Sequence, residues 1–270
     1  MEPNYYNNSK PTTSRFGKQI SMPQISLLNR SMIVAGIGFL SIGILGFLAA
    51  YLIINVVNSG SEGTLLLLYF LFMILVLVSQ FMAMFAFNRI ESLSKAKIAT
   101  IFVMYGIGQG IGFGFLFAAL QMQFDSVSRA ISYITLAFTA GGLAFLTAGY
   151  IGKKLSVQGT MTLGRYLMYL SIGFIAISFL WLIMCLVSAF TGGFGIGLDY
   201  WYWLILAFGT LLFFLYTVFD FSTISKMQNF ISVQDEKVVS NYVWMFGFKL
   251  LVDLVMMVWY ILLIILRSTR

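Results

Sequence analysis

Seven long apolar runs divide the chain, at residues 32–56, 64–88, 98–120, 130–151, 166–190, 201–221 and 242–266. Each is close to the ~20 residues a helix needs to cross a hydrocarbon layer ~30 Å thick. The runs are continuous, whereas the strands of a membrane barrel alternate apolar and polar positions over ~10 residues. They therefore predict helices. Connections are short except over 222–241, where the flanking helices are expected to project beyond the bilayer. No proline interrupts a run, so any break in a spanning helix would have to come from glycine. The fold expected is an all-α membrane protein, with residues 31–270 forming a single seven-helix transmembrane domain.

Residues 1–30 are of another kind. They are rich in Asn, Ser and Thr, hold Pro3, Pro11 and Pro23, and carry Lys10, Arg15, Lys18 and Arg30. Such a segment is expected to be a disordered basic tail. The run that follows is too long for the apolar part of a signal peptide and lacks a small-residue cleavage site, so it is expected to remain as the first span.

Composition sharpens the class. Apolar residues make up 60% of the chain and charged ones 9%, against about 25% charged in soluble domains. The absence of histidine excludes His-based triads, His-ligated zinc and imidazole switches. Cys185 is the only cysteine, which excludes an internal disulfide and a Cys-x-x-Cys pair. No catalytic constellation or cofactor motif emerges, and the chain is not expected to be an enzyme. A net charge of +7 would suggest nucleic acid in a soluble chain; here the basic residues flank spans and set topology, with the lipid bilayer as partner. With the N-terminus inside, twelve basic residues fall in inside segments, and only Arg129, Arg267 and Arg270 fall outside. The bias predicts a cytoplasmic N-terminus and an outer C-terminus. Without a targeting signal, a bacterial plasma membrane is favoured.

Gly106, Gly110 and Gly114 lie four apart within the third run. Their spacing superficially matches nucleotide-binding loops, but no strand-to-helix context exists. A small-residue face for close helix packing is the better reading, and Gly141, Gly142 and Ala148 are expected to act likewise. Tyr150, Tyr166, Tyr169, the Tyr200–Trp203 cluster, Tyr242 and Trp244 cluster near span ends, as aromatic anchors at the headgroup level do.

The candidate chemistry lies in the last two runs. Asp220 follows a nearly unbroken apolar stretch, and Asp253 sits roughly 18 Å along its helix from Tyr242. A charged side chain in hydrocarbon costs roughly 2.5–3.5 kcal/mol on insertion scales, so such acids mark functional sites by default. If the two meet, they cannot comfortably both be ionised, and they titrate as a coupled pair. One shared proton would pin the two helices together; loss of both would repel them unless a cation entered. Oxygen ligands favour hard ions such as Ca²⁺, although six to eight oxygens are needed. Two cations could answer the acids. Lys249 is one turn before Asp253 on the same helix face, and Arg89 ends the second run, where it either snorkels or turns back toward Asp220.

The stretches Leu215-Tyr216-Thr217-Val218-Phe219-Asp220, Ile224-Ser225-Lys226 and Leu250-Leu251-Val252-Asp253-Leu254 resemble the Bax inhibitor (lifeguard) family of membrane proteins. The loop Ile151-Gly152-Lys153-Lys154-Leu155-Ser156 is similar to a loop of that family, with its aspartate missing. The resemblance implies a seven-helix bundle with the seventh helix central. It also implies a pH-sensitive Ca²⁺ leak channel controlled by an aspartate pair, Asp220 and Asp253, with Arg89 as the arginine partner. Lys249 departs from the pattern, standing where the family is usually neutral. Two other readings compete. One is a non-conducting regulatory scaffold in which Asp253–Lys249 and Asp220–Arg89 are structural ion pairs. The other is an intramembrane aspartyl protease, disfavoured because no Gly-x-Gly-Asp motif precedes either acid.

Overall fold

In the computed structural model the protein is described over residues 26–60, 93–124, 126–191, 198–231 and 236–268, with further helical positions between 63 and 82. The described residues contain helices and no strand. In chain order the continuous elements are α1 (Leu27–Asn58), α2 (Lys95–Gln123), α3 (Val127–Lys154), α4 (Val157–Thr191), α5 (Leu198–Ile231) and α6 (Glu236–Ser268). All six are long and apolar enough to cross a membrane, and the protein is an integral membrane protein.

The helices overrun the apolar runs that predict them. α1 starts at Leu27, inside the segment read as tail, because the Ser26 hydroxyl accepts from the Asn29 amide at 3.2 Å and caps it. α4 starts at Val157 rather than 166, after Ser156 accepts from the Gly159 amide at 3.0 Å. Hydropathy sees only the part of a helix that lies in hydrocarbon, whereas capping marks where it begins. α5 continues to Ile231 and α6 begins at Glu236, so both project past their apolar runs. Residues 1–25 of the predicted tail, and much of the predicted span at 64–88, lie outside the described residues.

Three helices run parallel and pack on one another. Along α1 and α2, Gly38 meets Phe102, Ile42 meets Gly106, and Gly110 meets Leu45. Phe102 packs edge-on against Trp244 of α6 at 5.6 Å, and further along Trp259 donates to the Gln109 Oε1 at 2.8 Å. The glycine face works as packing: a Cβ on Gly110 would stand 2.7 Å from the Leu45 Cβ, and one on Gly114 would meet Ala49. Gly141 lies against Val258 and Ala148 is buried, but Gly142 faces open space and packs nothing.

α5 runs antiparallel to α6, with Gly209 beside Tyr260 at one end and Asp220 beside Lys249 toward the other. α3 lies against both, through Phe145–Phe221 at 5.1 Å and the Gly141–Val258 contact. α4 lines up along α5, where Ser171 and Tyr216 share a hydrogen bond of 2.6 Å. Few residues of α4 are fully buried: one side packs along α5 and the rest faces outward. α6 is the opposite case. It touches α1, α2, α3 and α5, and its residues from Leu250 to Val255 are buried without a break. A helix apolar on every face and enclosed by its neighbours has nowhere to place a charge except against a partner.

Three predicted anchors are half-buried rather than exposed. Trp244 packs on Phe102, Tyr242 stacks on Phe246 at 6.0 Å, and Tyr202 lies near Trp181 and Arg267. Tyr150, Tyr166, Tyr169 and Tyr200 are exposed, as anchors must be.

Candidate functional site

The fold brings the two intramembrane acids together. Asp220 projects from α5 and Asp253 from α6 across their antiparallel interface, and they are 7% and 6% exposed. Helical spacing puts Thr217 on the Asp220 face one turn earlier, and Lys249 on the Asp253 face one turn earlier. The four side chains therefore converge. Asp253 faces the Asp220 carboxyl, the Thr217 hydroxyl and the Lys249 charge.

Lys249 does not confine itself to the acid on its own helix. Its Nζ stands 3.6 Å from the Asp220 Oδ1 on α5. Lys249 thus faces both acids, and its contact with Asp220 is an ion pair that ties α5 to α6. Arg89, the other expected counter-cation, lies outside the described residues.

The proton inventory follows from the contacts. The Thr217 Oγ1 donates to the Phe213 carbonyl at 2.8 Å, which leaves its lone pairs to accept from a protonated carboxyl. With one proton on the acid pair, the positive Lys249 balances the remaining negative charge and the cluster is neutral. Loss of that proton leaves it one charge negative in a low-dielectric setting, where a cation is strongly attracted.

One atom of the cluster has no hydrogen-bond partner among the described residues. It is the buried Asp253 Oδ2, and the buried hydroxyl of Tyr105 on α2 likewise finds none among them. The Tyr105 side chain lies edge-on to Phe248 at 5.5 Å and close enough to Asp253 to feel its charge. One turn further along α2, Gln109 is fully buried but satisfied: it donates to the Ser79 Oγ at 3.0 Å and accepts from Trp259. Polar groups thus continue from the acids along the α2–α6 seam.

As an ion site the cluster is sparse. Among the described residues there is no group of three or more His, Cys, Asp or Glu side chains that could hold a metal. Two carboxylates and Thr217 fall short of the six to eight oxygens of a Ca²⁺ cage, and Lys249 opposes the ion.

Sequence reasoning missed Thr217, Tyr105 and Gln109 as parts of this region. Their signal was present as polar groups inside apolar runs, but which of them face the acids depends on the rotation of α2 against α6. A second polar cluster, Thr160, Ser222 and Lys226, was also missed. Thr160 and Ser222 share a 2.6 Å hydrogen bond, and Lys226 donates to both.

Compared with protein-family models, curated proteins and solved structures, the chain matches none.

Proposed function

We propose that the chain is a proton-regulated cation leak pathway, with Ca²⁺ as the permeant ion and Asp220 and Asp253 as its latch. The observation that carries this reading is the meeting of two buried acids on antiparallel apolar helices, with one carboxylate oxygen that has no partner among the described residues. With one shared proton the cluster is neutral and holds α5 to α6. Deprotonation turns the attraction between helices into repulsion and makes a cation welcome.

The resemblance to the Bax inhibitor family supplies the Ca²⁺ assignment and the architecture: seven spans, the last of them central, and Arg89 as a further counter-cation. Two features support the span count. α1 and α2 run parallel, so the chain between them has to return across the bundle, and residues 63–82 contribute helical positions, Ser79 among them against Gln109. The basic residues favour a cytoplasmic N-terminus, an outer C-terminus and a bacterial plasma membrane.

The test is Ca²⁺ flux in proteoliposomes across a pH series. Flux is expected to rise with pH in the parent protein, because the conducting state is the one that has lost the shared proton. Asp253→Asn, which leaves Asp220 and Lys249 as a neutral pair, should abolish the rise, and Asp220→Asn should alter it. Equal flux in all three proteins at every pH would remove the latch.

One observation favours a second reading. The Lys249–Asp220 contact cancels a charge within the core, as a non-conducting regulatory scaffold would require. Protein that passes no ion at any pH, yet whose α5–α6 contact loosens when Lys249 is replaced, would favour the scaffold.

A further inference from the structure

We propose that Gln109 is the positioning residue of a polar switch next to the acid pair, with one set of hydrogen-bond partners in the closed pathway and a second set, one helical turn away, in the open one. As a gate it rests on the reading of the chain as a leak pathway.

A carboxamide carries two N–H donors and two acceptor lone pairs. Gln109 is fully buried on α2 and, among the described residues, uses one of each. Its Nε2 donates to the Ser79 Oγ at 3.0 Å, and its Oε1 accepts from the Trp259 Nε1 at 2.8 Å. The Ser79 hydroxyl itself donates to the Val76 carbonyl at 2.8 Å, so only its lone pairs are left for Gln109. One side chain thus ties the helical positions around Ser79 to both α2 and α6. Packing repeats the tie: a Cβ on the neighbouring Gly108 would stand 2.8 Å from the Ser79 Cβ and 3.1 Å from the Leu75 carbonyl oxygen. In hydrocarbon no water replaces such bonds, so they exchange only where other partners lie within reach.

Other partners do lie within reach. Tyr105 precedes Gln109 by four residues, so the two share one face of α2. That face meets α6, where Tyr105 lies edge-on to Phe248 at 5.5 Å and within the field of Asp253. The Tyr105 hydroxyl and the Asp253 Oδ2 are both buried, and neither has a hydrogen-bond partner among the described residues. A long side chain on a helix leans over the turn that precedes it, which for Gln109 is the turn of Tyr105. Folded proteins seldom leave two buried polar groups unmet on one seam. These two are the unoccupied half of the switch, and an amide suits both of them. Moving the carboxamide from Ser79 and Trp259 to Tyr105 and Asp253 releases the segment around Ser79 and opens the seam beside the acids. Two arrangements of one side chain, each with its own partners, make the two-state element a gate needs.

The experiment uses the full chain in proteoliposomes, with Ca²⁺ flux followed across the pH series and hydrogen exchange followed in the peptide covering residues 63–82. Ser79→Ala and Trp259→Phe each remove one closed-state bond, and the second keeps a ring against Phe113. Each should raise flux and speed exchange roughly fivefold, and lower the melting midpoint. Tyr105→Phe removes an open-state partner. It should lower flux and slow exchange by a similar factor without lowering the midpoint. Ser132→Ala, which deletes an exposed hydroxyl on α3, should change none of these.

Effects of the same sign from the closed-state and open-state variants would reduce Gln109 to a structural tie and overturn the proposal. So would a lower midpoint in Tyr105→Phe, since its hydroxyl would then already be bonded in the closed form. Opposite exchange effects in a protein that passes no ion at any pH would keep the switch and remove the leak. A parent whose flux rises with pH, but whose variants show no opposition, would keep the leak and remove the switch.

Discussion

Lys249 decides the charge of the acid cluster. Its Nζ lies 3.6 Å from the Asp220 Oδ1, and replacing it by Met deletes the one described cation of the cluster while keeping most of its volume. The acids then hold an uncompensated negative charge even with a shared proton. Lys249→Met is therefore expected to raise Ca²⁺ affinity, by roughly tenfold or more if the lost interaction is worth 1.4 kcal/mol or above; Ca²⁺ competition in the flux assay measures it, and an unchanged affinity would mean the ammonium does not act on the ion. Tyr105 poses the opposite question. Its hydroxyl is buried without a partner among the described residues, and such a group costs about 1–3 kcal/mol of desolvation. Tyr105→Phe should leave the melting midpoint where it is or raise it. A fall of about 1 kcal/mol or more would reveal a bond to Asp253, direct or through water.

At the level of single elements, small residues set how closely helices approach. The backbone of Gly114 packs so near Ala49 and Ala50 that no side chain fits between α2 and α1. Gly114→Leu should force the two apart and lower stability by several kcal/mol, since overpacking typically costs 1–3 and here backbone is among the obstructing atoms. Gly142→Ala, whose Cβ would meet nothing within 4 Å, is the control and should be nearly silent in the same thermal scan. The spacing of the glycines predicted a packing face. Which neighbour that face meets was not legible, because a four-residue repeat fixes a direction around one helix and says nothing about what lies in that direction.

For the whole molecule, the parallel course of α1, α2 and α6 has a topological consequence. Their first turns share one cavity, so all three begin on the same side of the membrane. With Cys185 replaced by Ser, a cysteine at Lys95 and one at Lys237 should label with an impermeant reagent from one side, and a cysteine at Val127 from the other. Labelling of Lys95 and Val127 from the same side would contradict the arrangement. Outward-facing α4, with Met161, Ile172, Ile175 and Phe179 all exposed, needs lipid or another chain along its length, and the extent of its apolar surface fits the bilayer.

Hydropathy alone determined that the chain is helical and membrane-embedded, because a backbone in hydrocarbon has to satisfy its own hydrogen bonds and a helix does so within one segment. Sequence also singled out Asp220 and Asp253, since an acid in an apolar run carries a cost visible without coordinates. Tertiary structure decided the rest. It set Lys249 against Asp220 as well as the acid on its own helix, it brought Thr217 and Tyr105 to the acids, and it gathered the starts of α1, α2 and α6 around one basic cavity. Each of these depends on how helices distant in sequence are rotated and staggered, a choice made by the fit of side chains across their interfaces.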